Sequence, residues 1–169
     1  MENYNFKESE KKWKEFWENE GIYKFDNKSK KKNYSIDTPP PTLSGKMHIG
    51  HAFSYSQQDF IARYRRMAGY NVLYPFGTDD NGLPTERLIE KLKNVKSTKM
   101  QRQEFVVLCQ KTLKEITPDF VNDWKIIGMS CDFSKTYSTI DEHCIRTSQQ
   151  SFVDLYGKKL RLYNLFNRT

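Results

Sequence analysis

The sequence predicts an α/β fold made of the opening units of a doubly wound sheet, and three observations predict it. A short β-prone segment, Tyr34–Thr38, is followed by a loop and a helical pattern over His48–Met67. A second strand segment, Asn71–Phe76, is followed by its own loop, Gly77–Gly82, and by a helix from Thr85 to about Asn94. The unusual residues concentrate in these two loops, just past the strand ends, where doubly wound sheets bind their ligands.

Ahead of this unit, Phe6 to Glu20 reads as a lead-in helix. Trp13, Phe16 and Trp17 fall at i, i+3 and i+4, and Gly21 stands at the expected stop. The stripe is expected to pack the helix onto the core. Residues 28–32 carry four lysines and read as a solvated loop. Pro39, Pro40 and Pro41 then force an extended exit from the first strand. In the helix that follows, Ile49, Ala52, Phe53, Ser56, Phe60 and Tyr64 lie near one face, and Ala68-Gly69 closes it. Pro84 stands near the start of the next helix, where a missing N–H costs nothing. After Ser97 the pattern is helical: Arg102–Thr112, then Pro118–Ile127 with Phe120, Trp124 and Ile127 spaced for burial, a turn over Gly128–Ser134, and a last helix from about Asp141 to Lys159.

Composition bounds the function. The 169 residues suffice for one folded domain, with 37% hydrophobic residues, 29% charged and 24 aromatic side chains (11 Phe, 10 Tyr, 3 Trp). A net charge of +7 favours polyanionic partners such as nucleotides or RNA. Cys109, Cys131 and Cys144 are odd in number and lack Cys-x-x-Cys spacing, which argues against a disulfide framework or a structural zinc. Met1 to Phe16 is too charged for a signal peptide, and no run approaches the ~18 apolar residues of a membrane span. A soluble, cytoplasmic protein with no membrane partner is expected.

The first loop runs Pro39-Pro40-Pro41-Thr42-Leu43-Ser44-Gly45-Lys46-Met47-His48-Ile49-Gly50-His51. If His48 and His51 open a helix, they share a face of its first turn, beside unpaired N–H groups and the positive end of the dipole. Two imidazoles there can donate to phosphate oxygens, and Gly50 leaves the backbone open to a phosphate. Donors preorganised toward developing charge are commonly worth a few kcal/mol each. In the second loop, Gly77-Thr78-Asp79-Asp80-Asn81-Gly82-Leu83-Pro84-Thr85-Glu86-Arg87, either Asp79 or Asp80 could hold an ammonium group. Gly77 and Gly82 would let that loop close on a ligand.

Together the two runs resemble those of the class I aminoacyl-tRNA synthetases and, within them, the archaeal-type valyl branch that some bacteria also carry. Residues 36–51 look like the family's HIGH region with its leading triple proline, and GTDDNGLPTER is similar to the valyl form of the second loop. The resemblance runs from the Trp13/Trp17 helix to about Tyr156. It implies the first half of a Rossmann-like nucleotide-binding fold: residues 1–33 as lead-in helix and basic loop, 34–97 as the half-core with the HIGH motif, and 98–169 as a helical region leading to an editing insertion.

The implied function is that of the N-terminal catalytic fragment of a valine–tRNA ligase. Such a fragment binds ATP (with Mg2+) and valine for adenylate formation, tRNA(Val) being charged by the complete enzyme. Residue by residue, the resemblance implies that His48 and His51 are catalytic and contact ATP phosphates, that Thr42 and Gly45 also bind ATP, and that Gly50 leaves room for its adenine and ribose. It implies Pro41, Thr42 and Asp79 in the amino-acid pocket, and no metal ligands.

The family also needs parts that this resemblance does not find in residues 1–169: a KMSKS loop, an editing domain and an anticodon-binding domain. Lys96-Ser97-Thr98-Lys99-Met100 matches KMSKS only in letters, directly after the GLPTER helix, the wrong place. A pocket sized for valine rejects threonine only by ~10², a limit for which valyl enzymes are themselves the standing example, so editing is normally required. The stretch from Tyr156 on blurs the family pattern, and Asn164–Thr169 matches nothing in it.

A catalytic fragment active only with a complementary C-terminal half is the first expectation, its atypical tail pointing to a natural remnant or split-gene product over a designed truncation. A stand-alone binding or regulatory module without aminoacylation is the second. A small H-x-G-H nucleotidylyltransferase is the third, and the triple proline and second loop count against it. Half a sheet also predicts exposed apolar surface.

Overall fold

The computed structural model describes residues 4–158, so the atypical tail that begins after Tyr156 lies almost wholly outside the described residues. Five helices, α1 (Phe6–Asn19), α2 (Ile49–Met67), α3 (Gly82–Lys93), α4 (Arg102–Ile126) and α5 (Glu142–Gly157), alternate with four short strands, β1 (Asn33–Ser35), β2 (Asn71–Leu73), β3 (Pro75–Thr78) and β4 (Asp132–Ser138). The result is mixed α/β with small parallel sheets.

Local chemistry sets the boundaries. The Asn5 side chain caps α1, and Gly21, at φ +58°, lets the chain turn away. Gly69 (φ +85°) and Gly128 (φ +80°) do the same after α2 and α4. Asn94 takes the left-handed conformation that ends α3 (φ 52°, ψ 45°). Asp141 caps α5 by accepting from the Cys144 amide at 2.7 Å.

β1 runs parallel to β2, with Tyr34 opposite Val72, and the Ile36 amide extends the ladder to the Leu73 carbonyl (2.9 Å). β3 runs parallel to β4. Only Tyr74 separates β2 from β3, so residues 71–78 form one central line with β1 on one side and β4 on the other. Each parallel pair needs a crossover, supplied by α2 between β1 and β2 and by α3 and α4 between β3 and β4. Past β1, Thr42 pairs with Asp79 in an isolated parallel bridge.

The core lies where α2 and α4 meet this line. Trp124 is completely buried, its indole edge-on to Tyr55 (4.7 Å between centroids) and against Phe76 (5.6 Å) and Phe120 (6.0 Å). Burying a side chain of this size contributes about 1.5–3 kcal/mol or more.

The structure departs from the sequence reading in four places. The helices expected over 102–112 and 118–127 are one, α4 (Arg102–Ile126), with Pro118 inside it. Pro118 removes the bond its amide would make to Lys114, and Thr117 Oγ1 donates to the Leu113 carbonyl alongside (2.7 Å). The turn expected over 128–134 gives way to β4, a strand rich in Ser, Thr and Lys whose low hydropathy hid it; among the described residues it pairs on one side only. On α1 only Trp17 of the aromatic stripe is seated, against Tyr23 and Gly128, while Trp13 and Phe16 stay nearly half exposed.

The fourth departure is in α2, which buries the opposite side from its most apolar one. Ile49 (85%), Phe53 (70%), Phe60 (68%) and Tyr64 (60%) remain exposed, while Asp59 and Ala62 are buried. A polar network decides this. Asp59 Oδ1 accepts from the Ser130 amide (2.7 Å) and hydroxyl (2.6 Å), and its Oδ2 accepts from Arg63 Nε (2.7 Å). Arg63 also donates to Tyr23 Oη and to the Gly128 carbonyl, and Arg66 donates to Ser130 Oγ. Buried charges must be paired, and facing Asp59 outward would leave these partners empty.

Candidate active site

The two sequence runs meet at one end of the strands. The Asp79 amide donates to the Pro41 carbonyl (2.9 Å), the Leu43 amide donates to the Asp79 carbonyl (3.0 Å), and Thr42 Oγ1 reaches Asp79 Oδ2 (3.3 Å). Pro41 is buried; Thr42 and Asp79 are half-buried. Leu43 is locked below them, its carbonyl accepting from Thr85 Oγ1 of α3 (3.2 Å). Tyr55 Oη of α2 donates to the Pro39 carbonyl (2.5 Å), fixing the proline run, and burial pushes its hydroxyl up to about 12. Thus Pro41, Thr42 and Asp79 form one cluster.

His48 and His51 form a second. His48 is the N-cap of α2: its Nδ1 accepts from the Gly50 amide at 3.2 Å. A neutral imidazole that accepts on Nδ1 carries its proton on Nε2, so the cap leaves His48 a free donor. The His51 ring stacks on His48 with 3.9 Å between centroids and rests on Trp124 at 5.7 Å. Its Nδ1 is buried with no partner. Burial, and secondarily the His48 charge, hold the His51 imidazole below its ordinary value, favouring the neutral ring. Unpaired α2 amides lie beside this pair. No hydrogen bond joins the two clusters among the described residues; residues 43–47 connect them.

The glycines have more local reasons than the sequence suggested. A Cβ on Gly50 would lie 3.0 Å from His48 Cε1, so the room at Gly50 is taken by the capping imidazole. Gly77 is not in a loop but in β3, where a side chain would collide with the Tyr137 ring. Gly45 (φ +147°) and Gly82 (φ +83°) sit in conformations that suit glycine. Asp80, the alternative to Asp79, is buried; its Oδ2 accepts from Thr78 and Ser138 while its Oδ1 has no partner. The Ser97–Lys99 turn is tied to α3, since Glu90 Oε1 accepts from the Ser97 amide and hydroxyl (2.7 Å each). That local fixture gives Ser97 a structural role of its own.

Sequence reasoning missed the corner between β4 and α5. Thr139 Oγ1 donates to Asp79 Oδ1 (3.1 Å) and accepts from the Asp80 amide (3.0 Å), and the Thr139 amide donates to the Thr78 carbonyl (3.0 Å). Asp141 as a helix cap was the readable signal there, but without β4 nothing linked it to the second loop.

Residues 12–165 match the family model for tRNA synthetases class I (I, L, M and V), and the chain belongs to that family. Within it, the chain matches the N-terminal catalytic region of valine–tRNA ligases. It is 49% identical over 162 residues to the valine–tRNA ligase of Rickettsia akari, covering 95% of this chain and 20% of that protein. It is 50% identical over 157 residues to the Rickettsia typhi enzyme (92% and 19%), and 46% identical to that of a Wolbachia of Brugia malayi (93% and 18%). The chain thus spans about a fifth of the length of these relatives. Among solved structures it is similar to the LeuRS–tRNA–LeuAMS ternary complex of Agrobacterium radiobacter K84, with a TM-score of 0.73 and 25% identity over 92% of this chain and 18% of that one. Among the described residues no helix is long and apolar enough to cross a membrane.

Proposed function

We propose that this chain forms one wall of a valyl-adenylate site in a cytoplasmic valine–tRNA ligase. The observation that carries the reading is the pairing of Pro41–Thr42 with Asp79 beside a helix opened by two histidines. Pro41 and Thr42 line the valine pocket, and Asp79 is the counter-charge for the substrate ammonium. His48 and His51, with Thr42, Gly45 and Gly50, receive ATP; the free Nε2–H of His48 and the neutral His51 ring suit phosphate oxygens. Bound Mg2+ would offset charge on the β- and γ-phosphates. The valine carboxylate attacks the α-phosphorus, the bond to pyrophosphate breaks, and valyl-AMP and pyrophosphate result. A carboxylate needs only positioning and charge stabilisation, so no enzyme nucleophile is required.

The reading includes a complementary polypeptide, continuous or separate, that supplies the pyrophosphate-side charge, editing and tRNA(Val) contacts. The outward apolar face of α2 and the relatives' fivefold greater length support it. On this reading residues 34–97 carry the chemistry, 1–33 buttress it, and 98–169 lead toward the editing insertion. Valine-dependent pyrophosphate exchange tests it. The expected result is weak or absent exchange by these 169 residues, submillimolar binding of a valyl-sulfamoyl-adenosine, and exchange restored by adding the remainder of a relative's catalytic domain. No binding of the adenylate analogue would refute the site; full valine-specific exchange by these residues would remove the need for the complement.

A further inference from the structure

We propose that Thr139, in the corner between β4 and α5, is a positioning residue that aims the Asp79 carboxylate at the amino acid's ammonium group; the inference rests on the amino-acid-binding reading of Asp79. A threonine hydroxyl has one proton and accepts through its lone pairs. In Thr139 the acceptor side takes the Asp80 amide at 3.0 Å, so the proton is directed to Asp79 Oδ1 at 3.1 Å. The hydroxyl therefore has a fixed sense: donor to Asp79, acceptor from the chain directly after it.

The corner holding this hydroxyl is itself fixed. The Thr139 amide is bonded to the Thr78 carbonyl (3.0 Å). Asp141 Oδ2 accepts from the Ser138 amide (3.2 Å) while its Oδ1 caps α5 at Cys144 (2.7 Å). Ser138 Oγ donates to Asp80 Oδ2 (2.5 Å) and accepts from the Ile140 amide (3.2 Å).

Asp79 is thereby gripped from two strands. Thr139, beyond β4, holds Oδ1 together with the Asn81 amide (3.3 Å); Thr42, beyond β1, meets Oδ2 (3.3 Å). A carboxylate on a half-buried loop otherwise rotates about χ1 and χ2, and binding must then restrict it. Two grips on opposite oxygens remove that freedom beforehand, and Thr139 supplies the shorter one. The same hydroxyl joins the Asp79 carboxylate to the Asp80 amide, while the Asp80 carboxylate is held separately by Thr78 and Ser138.

The test compares two probes on the intact chain by calorimetry: the valyl-sulfamoyl-adenosine and its analogue lacking the α-amino group. In the parent chain the amino probe binds more tightly. Thr139→Val keeps the shape and removes the hydroxyl; it should cut the preference for the amino probe by about tenfold, the worth of one hydrogen bond to a charged group. The affinity for the desamino probe should stay within about twofold in every variant, since that probe places no ammonium against Asp79. Thr139→Ser should restore the preference. Thr139→Ala, read alongside with thermal melting as a folding check, covers the case in which the valine variant does not fold.

An amino-probe preference unchanged in folded Thr139→Val or Thr139→Ala overturns the positioning role and leaves Asp79 intact. Equal loss for both probes, or no rescue by serine, also overturns it, because a merely structural residue behaves so. A parent chain with no amino-probe preference, or with one that survives Asp79→Asn, instead overturns the Asp79 reading and this inference with it.

Discussion

Replacing Asp59 by asparagine should cost this chain more stability than any surface change. The buried carboxylate receives three donors, two from Ser130 on Oδ1 and one from Arg63 on Oδ2, all within 2.7 Å. An amide of the same shape has one oxygen. With that oxygen toward Ser130, its NH2 faces Arg63 Nε, donor against donor; flipped, it faces the Ser130 amide. Either way a donor is stranded, and Arg63 and Arg66 lose their nearest negative charge. Breaking a buried pair by removing one partner costs about 3–5 kcal/mol, and the one-third exposure of the Arg63 side chain lets water recover part of that, leaving about 2–4 kcal/mol. For a domain whose total stability is typically about 5–15 kcal/mol, this is a large share. Urea unfolding followed by tryptophan fluorescence should show a midpoint lower by about 1–2 M at unchanged slope, taking a slope of about 2 kcal/mol/M. Glu15→Gln, which breaks only the exposed 4.0 Å pair with Lys11, should change stability by less than about 0.5 kcal/mol. If Asp59→Asn costs under about 1 kcal/mol, the network does not select which face of α2 is buried.

The His51 imidazole is held below its ordinary value by burial and by the His48 charge, so the unfolded chain takes up its proton first. Its stabilising contribution is present above about pH 6.5 and is lost as the pH falls through the depressed folded value; His51→Gln should flatten melting temperature against pH in that window. Gly77→Ala sets a methyl into the Tyr137 ring and should destabilise by about 1–3 kcal/mol in denaturant titrations, with Tyr137→Ala in the same chain recovering most of it. Pro118→Ala restores the amide that α4 lacks and should stabilise by about 1–3 kcal/mol; a loss instead would mean the proline's ring packing outweighs the missing bond.

The parts legible in the sequence were those with local signals. α1 stops just before Gly21 and α2 opens after His48 because caps and glycines are written in neighbouring residues. The Pro41–Thr42 and Asp79 runs were legible as motifs, and the structure joins them through backbone bonds across 37 residues of chain. What stayed hidden depends on distant partners. β4 is too polar to announce itself and becomes a strand only because β3 offers a ladder. The inward face of α2 is set by Ser130 and Gly128, about 70 residues away, which outbid a longer apolar stripe. Thr139 could not be assigned a role while the segment before it was read as a turn.

The two site clusters are held in different ways, and that bears on how binding would proceed. Asp79 is restrained from three directions, by Thr42, Thr139 and the Asn81 amide, so on the proposed reading the side that would meet the ammonium is formed before any ligand arrives. The histidines are held more lightly, by one hydrogen bond from the Gly50 amide to His48, by the Trp124 ring against His51 and by their mutual stacking, with the His48 side chain exposed. A Cβ at Gly50 would press on the capping His48 ring. On that reading the Asp79 cluster would act as a template and the histidines as donors that a ligand must still order. Most of the ordering cost on binding would then fall on the histidines, which open the helix whose apolar face stays exposed.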